Sequence, residues 1–326
     1  MTRLLLTLLL SLMSLYSIAQ NRLTIVELNA ENLFDARHDT LKNDYEFLPT
    51  SPRHWTRTKY WEKLNRTGQT LISCGEDSSG WQLPDLVGLC EVENDSVLFN
   101  LTKRSLLRNA RYEYVMTSSN DMRGIGVALL YSPFSFRLLK ADTIRVSLIA
   151  DMRPTRDILH VEGAIANGDT LHVLLLHAPS RTGGEIYSSP FRKHVIKQVS
   201  NVVDSIQKCQ VHAKIIVMGD FNDYADSPSL KALYECGLLN VSAQAKGKNG
   251  AEGTYRYHGE WGSLDHIFIS DNLHPYVLSC YVNDAPFLLE EDMKYGGLKP
   301  RRHYNGMRYN NGFSDHLPLV LRLSIP

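Results

Sequence analysis

Five times along this chain, a short apolar run of strand length meets a carboxylate or an imidazole at one end. Leu86-Val87-Gly88-Leu89-Cys90 stops at Glu91, and Leu171-His172-Val173-Leu174-Leu175-Leu176 stops at His177. Lys214-Ile215-Ile216-Val217-Met218 runs into Gly219-Asp220-Phe221-Asn222. Leu264-Asp265-His266 leads into Ile267-Phe268-Ile269, and Phe313-Ser314-Asp315-His316-Leu317-Pro318 leads into a last apolar run. Short apolar runs bounded by turn residues read as buried strands. Polar groups gathered at the ends of such strands are how α/β scaffolds build their sites, so this pattern constrains both fold and function.

The first residues read as a secretory signal: Arg3, an apolar run from Leu4 to Leu10 with Leu12 and Met13, then Ser17-Ile18-Ala19 as a small-residue cleavage point. The run is too short to favour a membrane span, and no cysteine follows the cleavage point to carry a lipid anchor. The reading is a signal peptide over 1–19 and one exported domain over 20–326, in the periplasm or the medium, with no stable membrane insertion and no protein partner. No linker, repeat or low-complexity tract divides it. The 35 basic and 35 acidic residues leave a polyanionic substrate open, because a local patch can act where the total is balanced. Five scattered cysteines (Cys74, Cys90, Cys209, Cys236, Cys280) without a CxxC argue against a metal cluster or a dense disulfide framework, leaving one or two disulfides open.

Strands are expected over 24–28, 86–89, 112–116, 127–131, 136–148, 158–166, 170–176, 214–218, 267–269, 276–282 and 317–323. Asn167-Gly168 supplies a hairpin turn suited to positive φ. Helices are expected over 55–72, 97–107 and 190–208, with a short one between Ser227-Pro228 and Gly237. Hairpin strands mixed with segregated helices indicate an α+β class or a mixed sandwich. The chain has no GxGxxG, P-loop or GxSxG, against dinucleotide binding, NTP hydrolysis and a serine hydrolase.

Cleaving a phosphate ester needs charge neutralisation, an activated water and help for the leaving oxygen. Glu91 is a hard oxygen donor suited to Mg²⁺ or Mn²⁺. Asp220 and Asn222 alternate on an extended segment, one as base or ligand and the other as amide donor to a phosphate. Asp265 beside His316 has the logic of a carboxylate-supported imidazole, with His177 as acid on the opposite side. Arg123, Arg153, Arg156 and Arg181 are phosphate-contact candidates, Arg181 favoured by its place just past His177.

The motifs Leu28-Asn29-Ala30-Glu31-Asn32-Leu33, Cys90-Glu91, Leu176-His177-Ala178-Pro179-Ser180, Gly219-Asp220-Phe221-Asn222, Leu264-Asp265-His266 and Ser314-Asp315-His316 stand in an order that resembles the endonuclease/exonuclease/phosphatase superfamily. The resemblance spans nearly the whole mature chain. It implies a four-layered α/β sandwich of two packed mixed β-sheets flanked by helices. It further implies a metal-dependent phosphodiesterase, first of all a nuclease acting on nucleic acid or another phosphodiester. A phosphatase, a sphingomyelinase-like enzyme and a non-catalytic binding module are the alternatives. By the same resemblance Asn29, Glu91 and Asp315 are the metal and phosphate residues. Asp220, Asn222, Asp265, His316 and His177 are catalytic, and Arg181, Ser180 and Arg123 contact substrate. The family pattern leads one to expect a carboxylate supporting His177 from the strand around Gly124-Ile125-Gly126; Asp121 is the nearest here.

His54, His160, His172, His194, His258, His266 and His303 are read as structural, and Trp55, Trp61 and Trp81 as core. The loop Lys299-Pro300-Arg301-Arg302-His303-Tyr304 is read either as a phosphate grip or as a solvated loop. Sequencing the N-terminus of the chain recovered from the periplasm or medium should give Gln20 or Asn21 as first residue. Recovery of an intact Met1 terminus would refute the signal reading.

Overall fold

The computed structural model describes residues 22–77 and 80–325, so the signal-peptide reading over 1–19 lies outside it. The period-two alternation of the apolar runs builds two sheets. The first contains β1 (Arg22–Leu33), β2 (Leu86–Val92), β3 (Glu113–Met116), β4 (Gly126–Tyr131), β11 (Val277–Val282) and β12 (Leu319–Ser324), in the order β11-β12-β1-β2-β4-β3. The second contains β5 (Phe136–Ile144), β6 (Ile158–Ile165), β7 (Thr170–His177), β8 (Lys214–Asp220), β9 (Leu238–Asn240) and β10 (Asp265–Ser270), in the order β9-β10-β8-β7-β6-β5. Each sheet has one parallel pair near its middle, β1 with β2 and β7 with β8; every other pairing is antiparallel.

Alternate side chains of each strand go to different layers. Ile25, Leu86, Val173, Leu175, Ile216, Met218, Ile267, Ile269 and Leu321 fill the space between the sheets. Val26, Leu28, Val87 and Leu89 pack outward under α1 (Arg57–Ser73) and α2 (Asp95–Lys103). Leu174, Leu176, Ile215 and Val217 pack outward under α3 (Glu185–Cys209), beside α4 (Lys231–Glu235). The result is the expected α+β sandwich of helix, sheet, sheet and helix layers. At one end of the inter-sheet layer the alternation changes from apolar to polar: Asn29 continues the Ile25 row, His177 the Val173–Leu175 row and Asp220 the Ile216–Met218 row.

Several boundaries differ from the sequence reading. α3 begins at Glu185, more than a turn before Pro190, because buried Arg192 binds the first turn. It donates to Glu185 Oε2 at 2.7 Å and Ser188 Oγ at 2.9 Å. The helix expected over 97–107 is α2, capped by Asn94 accepting from Val97 N–H, followed by a 3₁₀ turn over Leu106–Asn109. β5 stops at Ile144, and 145–157 is loop. Ser227 leads into a 3₁₀ turn without capping it; its Oγ accepts from Tyr224 N–H. Trp55 is buried as expected, whereas Trp81 is 56% exposed on a short hairpin. All five cysteines are free.

One glycine sets the spacing between the sheets and another the spacing of two strands within the second sheet. A Cβ on Gly88 would come within 2.8 Å of Leu175 and Met218 in the opposite sheet. Gly219 has φ 143°, and a Cβ there would meet the Leu176 carbonyl oxygen at 1.9 Å. Replacing Gly219 by alanine must therefore move β8 away from β7 just before Asp220. Gly219→Ala should lower unfolding free energy by at least ~2 kcal/mol, read as a reduced urea midpoint. An unchanged midpoint would show that this contact does not constrain the strand.

Candidate active site

The ends of β1 and β2 bulge together. Their register shifts between Asn29 and Leu33, so that Ala30, Glu31 and Asn32 face the single residue Glu91. Glu31, Asn32 and Glu91 all take positive φ (52°, 56° and 63°). Such bulges re-aim side chains, and left-handed non-glycine residues persist only where their surroundings hold them. Here Asn32 N–H donates to Glu91 Oε2 at 2.8 Å, and Glu31 N–H donates to Asn29 Oδ1 at 2.9 Å.

In the second sheet, register places His177 beside Asp220 and Asp220 beside Asp265 in one row. Asn29 reaches across from the first sheet, its Nδ2 donating to Asp220 Oδ2 at 2.9 Å. Asn222, at φ 51°, donates its backbone N–H to Asp220 Oδ1 at 2.8 Å and one amide hydrogen to the Ala178 carbonyl at 3.1 Å. Asp265 Oδ2 accepts from Thr254 Oγ1 at 2.5 Å and pairs with His316 Nδ1 at 2.7 Å, leaving Nε2 for the cleft. Ser314 Oγ accepts from His316 N–H and donates to the Asn29 carbonyl, fixing the Ser-Asp-His turn against β1.

Asn29, His177, Asp220, Asn222 and His316 line a cleft of about 800 Å³ that also includes Glu91, Asp315, Tyr255, Ser180, Arg123, Arg153 and Arg156. Each of Glu91 and Asp315 engages one carboxylate oxygen, Glu91 with Asn32 N–H and Asp315 with Arg302 Nη2 at 2.9 Å. Their second oxygens have no protein partner among the described residues. One or two hard carboxylates with room for water and phosphate oxygens are what Mg²⁺ or Mn²⁺ requires, so the donor set fits a divalent cation. A deeper group, Asp220, Asp265 and His316, has ligand atoms within 4.8 Å of one another. The hydrogen bond between Asp265 and His316 closes that group, and its imidazole suits a hard cation less well than oxygen.

Burial and neighbouring charge drive the ionisable groups apart. Burial, with Asp265 nearby, raises Asp220 to about 7. Burial alone would lower His316, but the Asp265 charge and hydrogen bond, with Asp220 and Asp315, hold it well above its usual value. Burial, Arg156, Arg123 and His316 push His177 well below its usual value. The 3.4 Å contact of His177 Nε2 with Asp220 is therefore not an ion pair. One layer beneath, fully buried Glu27 is raised by burial and by Asp265 and Asp220.

The structure gathers Asn29, Glu91, His177, Asp220, Asn222, Asp265, Asp315 and His316, but changes several assignments. Asp121 does not support His177: its oxygens accept from Arg123 N–H and Arg156 Nη1, while His177 Nδ1 lacks a partner among the described residues. Asn29 directs its amide to Asp220 and the Glu31 backbone, which makes it a positioning group. Arg181 is held by Asp223 and Glu185 and lies outside the cleft lining. Arg302, in the loop read as a phosphate grip, is held between Glu31 at 3.3 Å and Asp315 at 2.9 Å. Arg153, whose guanidinium has no partner among the described residues, joins Arg123 on the rim. Sequence reasoning missed Thr254, Tyr255 (ring centroid 4.8 Å from His316) and buried Lys63, which donates to the Phe313 carbonyl at 2.6 Å. No local pattern marks any of the three. His266, read as packing, is buried against Phe221 and Phe268.

The family model described as endonuclease/exonuclease/phosphatase family matches residues 24–324. No curated protein matches in sequence. Among solved structures, a protein of that family from Bacteroides thetaiotaomicron superposes with a TM-score of 0.62 at 16% identity, covering 93% of this chain and 97% of its own. A mannosyl-6-phosphatase from the same organism gives 0.59 at 15%, covering 92% and 98%. TDP2 from C. elegans gives 0.57 at 15%, covering 93% and 75%. At these identities the likeness is one of fold.

The shifted groups set a pH dependence. Above pH 6.5 unfolded imidazoles lose their remaining protons, so neutral His177 and His303, which favour the fold as pH rises, act on the balance less and less. Asp220 and Glu31 (each raised to about 7), Glu93 (raised to about 8, first by burial) and His316 keep protons in the folded chain that the unfolded chain has lost. Stability of the metal-free protein should therefore fall from pH 6.5 to 8. Each such group contributes up to ~1.4 kcal/mol per pH unit, so Glu93→Gln should remove up to about 2 kcal/mol of the fall. A flat urea-midpoint profile over this window would contradict these protonation states.

Proposed function

The chain belongs to the endonuclease/exonuclease/phosphatase family, and from that premise we propose that it is an exported, divalent-metal-dependent phosphodiesterase, with nucleic acid as the first substrate class to test. The observation that carries the reading is the geometry of one cleft: Asp220, oriented by Asn29 and Asn222 and raised toward neutrality by burial, stands beside His316, which is paired with Asp265 and held protonated by its charge. Pairs pushed apart in this way divide acid and base roles. Asp220, at about 7, is matched to take a proton from an attacking water at neutral pH. Asn29 and the Asn222 backbone fix the orientation of its carboxylate.

His316, oriented by Asp265, presents Nε2–H to the phosphoryl oxygens as charge builds on them. Of the two cleft imidazoles it is the one held protonated. His177 is neutral and serves as a hydrogen-bond donor, which replaces the acid role expected from sequence. Glu91 and Asp315 would hold the cation, Mg²⁺ or Mn²⁺, which when bound neutralises phosphate charge as a Lewis acid. Arg123 and Arg153 on the rim suit further phosphate oxygens.

A second reading of the substrate rests on a specific observation. Exposed Met122, Ile149, Ile186 and Tyr187 flank one wall of the cleft, Ile186 being 95% exposed. Large apolar side chains gathered beside a site favour a substrate with an apolar part, so a phospholipid diester is the competing class. The mature chain is to be assayed with DNA, RNA, bis-p-nitrophenyl phosphate, p-nitrophenyl phosphate and phosphatidylcholine vesicles, with Mg²⁺, Mn²⁺ or chelator. Diester hydrolysis should require the metal, and Asp220→Asn and His316→Gln should each lower kcat by about 10²-fold or more. Glu91→Gln should raise the Mg²⁺ concentration for half-maximal rate. Chelator-resistant turnover, or full activity in Asp220→Asn, would overturn the mechanism.

A further inference from the structure

A second cavity, of about 320 Å³, opens at the same end of the first sheet but on its helix-covered side. Its walls are the segment after β1, with Asp35 and Arg37, the start of α1, with Arg57, Tyr60 and Trp61, and α2, with Phe99 and Arg104. Three guanidiniums line it without a carboxylate partner. Those of Arg37 and Arg57 are exposed and have no hydrogen-bond or ion-pair partner among the described residues. Arg104 lies 5.0 Å over the Phe99 ring and donates to the neutral Asn100 amide oxygen at 3.2 Å. The two lining carboxylates accept from other groups: Asp95 from the Tyr114 hydroxyl, and Asp35 from the Arg37 backbone N–H.

Three guanidiniums without a carboxylate partner at one concavity concentrate positive potential there, and their planar forks match phosphate oxygens. The aromatic side of the cavity, Tyr60, Trp61 and Phe99, adds an apolar surface for whatever the phosphate is attached to. We propose that this cavity is a second phosphate-recognition site, taking an organic phosphate whose oxygens meet Arg37, Arg57 and Arg104 and whose ester group rests on the aromatic side. Asp35 follows Asn32 of the cleft by three residues and Asp95 follows Glu91 by four. The two walls are thus at most ~15 Å apart along the chain. The phosphate has two sources: a further phosphate of the substrate in the cleft, or a separate phosphorylated molecule. Only the first rests on the phosphodiesterase reading.

The test uses Trp61 as reporter. The full mature chain, in chelator so that metal-assisted phosphate binding in the cleft is silent, is titrated with phenyl phosphate and with pyrophosphate while tryptophan fluorescence is followed. A saturable change is expected in the wild type, absent in Trp61→Phe, and weakened about tenfold or more in the Arg57→Ala/Arg104→Ala double variant. Turnover of bis-p-nitrophenyl phosphate should be unchanged in that variant, which shows that it is folded. A raised KM for a 5′-phosphorylated oligonucleotide at constant kcat would assign the phosphate to the substrate. An unchanged KM with fluorescence binding lost would assign it to a separate ligand. No saturable change in the wild type, or equal affinity in the double variant, overturns the site. Failure of the phosphodiesterase reading would appear instead as wild-type inactivity on the diester, with the titration unaffected.

Discussion

The site depends on two hydrogen bonds at the polar end of the sheets: Asn29 Nδ2 to Asp220, and His316 Nδ1 to Asp265. Each connects residues buried at the boundary of an apolar layer, where an unpartnered polar group would be costly. Because Asn29 stands on the first sheet and His316 in the segment leading into its strand β12, while Asp220 and Asp265 stand on the second, the separation of the layers fixes the geometry of the reacting groups. Gly88 sets that separation, and Gly219 lets β8 lie close to β7 just before Asp220, which makes both part of the site's support although neither is chemical.

The same burial that gives the site its chemistry works against its stability. Glu27, Asp220 and Asp265 lie in one desolvated region with His316 as the nearest countercharge. Glu31, Asn32, Glu91 and Asn222 hold left-handed backbone within the same few turns of chain. Strain and shifted ionisation gather where function needs orientation, while the apolar layers on either side contribute the compensating stability. Arg302 between Glu31 and Asp315, and Lys63 beneath, are cations that make this concentration of carboxylates tolerable.

Much of the fold was legible in the sequence. The strands of the inter-sheet layer declare themselves because they are buried on both faces and end abruptly in polar residues, as Leu171 to His177 and Lys214 to Asp220 do. The start of α3 was not legible, because Arg192 stabilises its first turn through contacts that no local rule for proline describes. Nor was the fate of Arg181 and Arg302 legible. An arginine near a motif reads as a phosphate contact until the structure shows a carboxylate already on it.

The sequence by itself determined which chemical groups stand at strand ends and in what order, since alternation and turn residues act over a few neighbours. It did not determine which groups meet. Asn29 and Asp220 are 191 residues apart, and Asp265 and His316 are 51 apart; only the packing of one sheet on the other brings them within hydrogen-bond distance. Tertiary structure also decided their protonation, placing Asp220 near neutrality, His316 above and His177 below. Ionisation follows desolvation and nearby charge, and both exist only once the layers have closed.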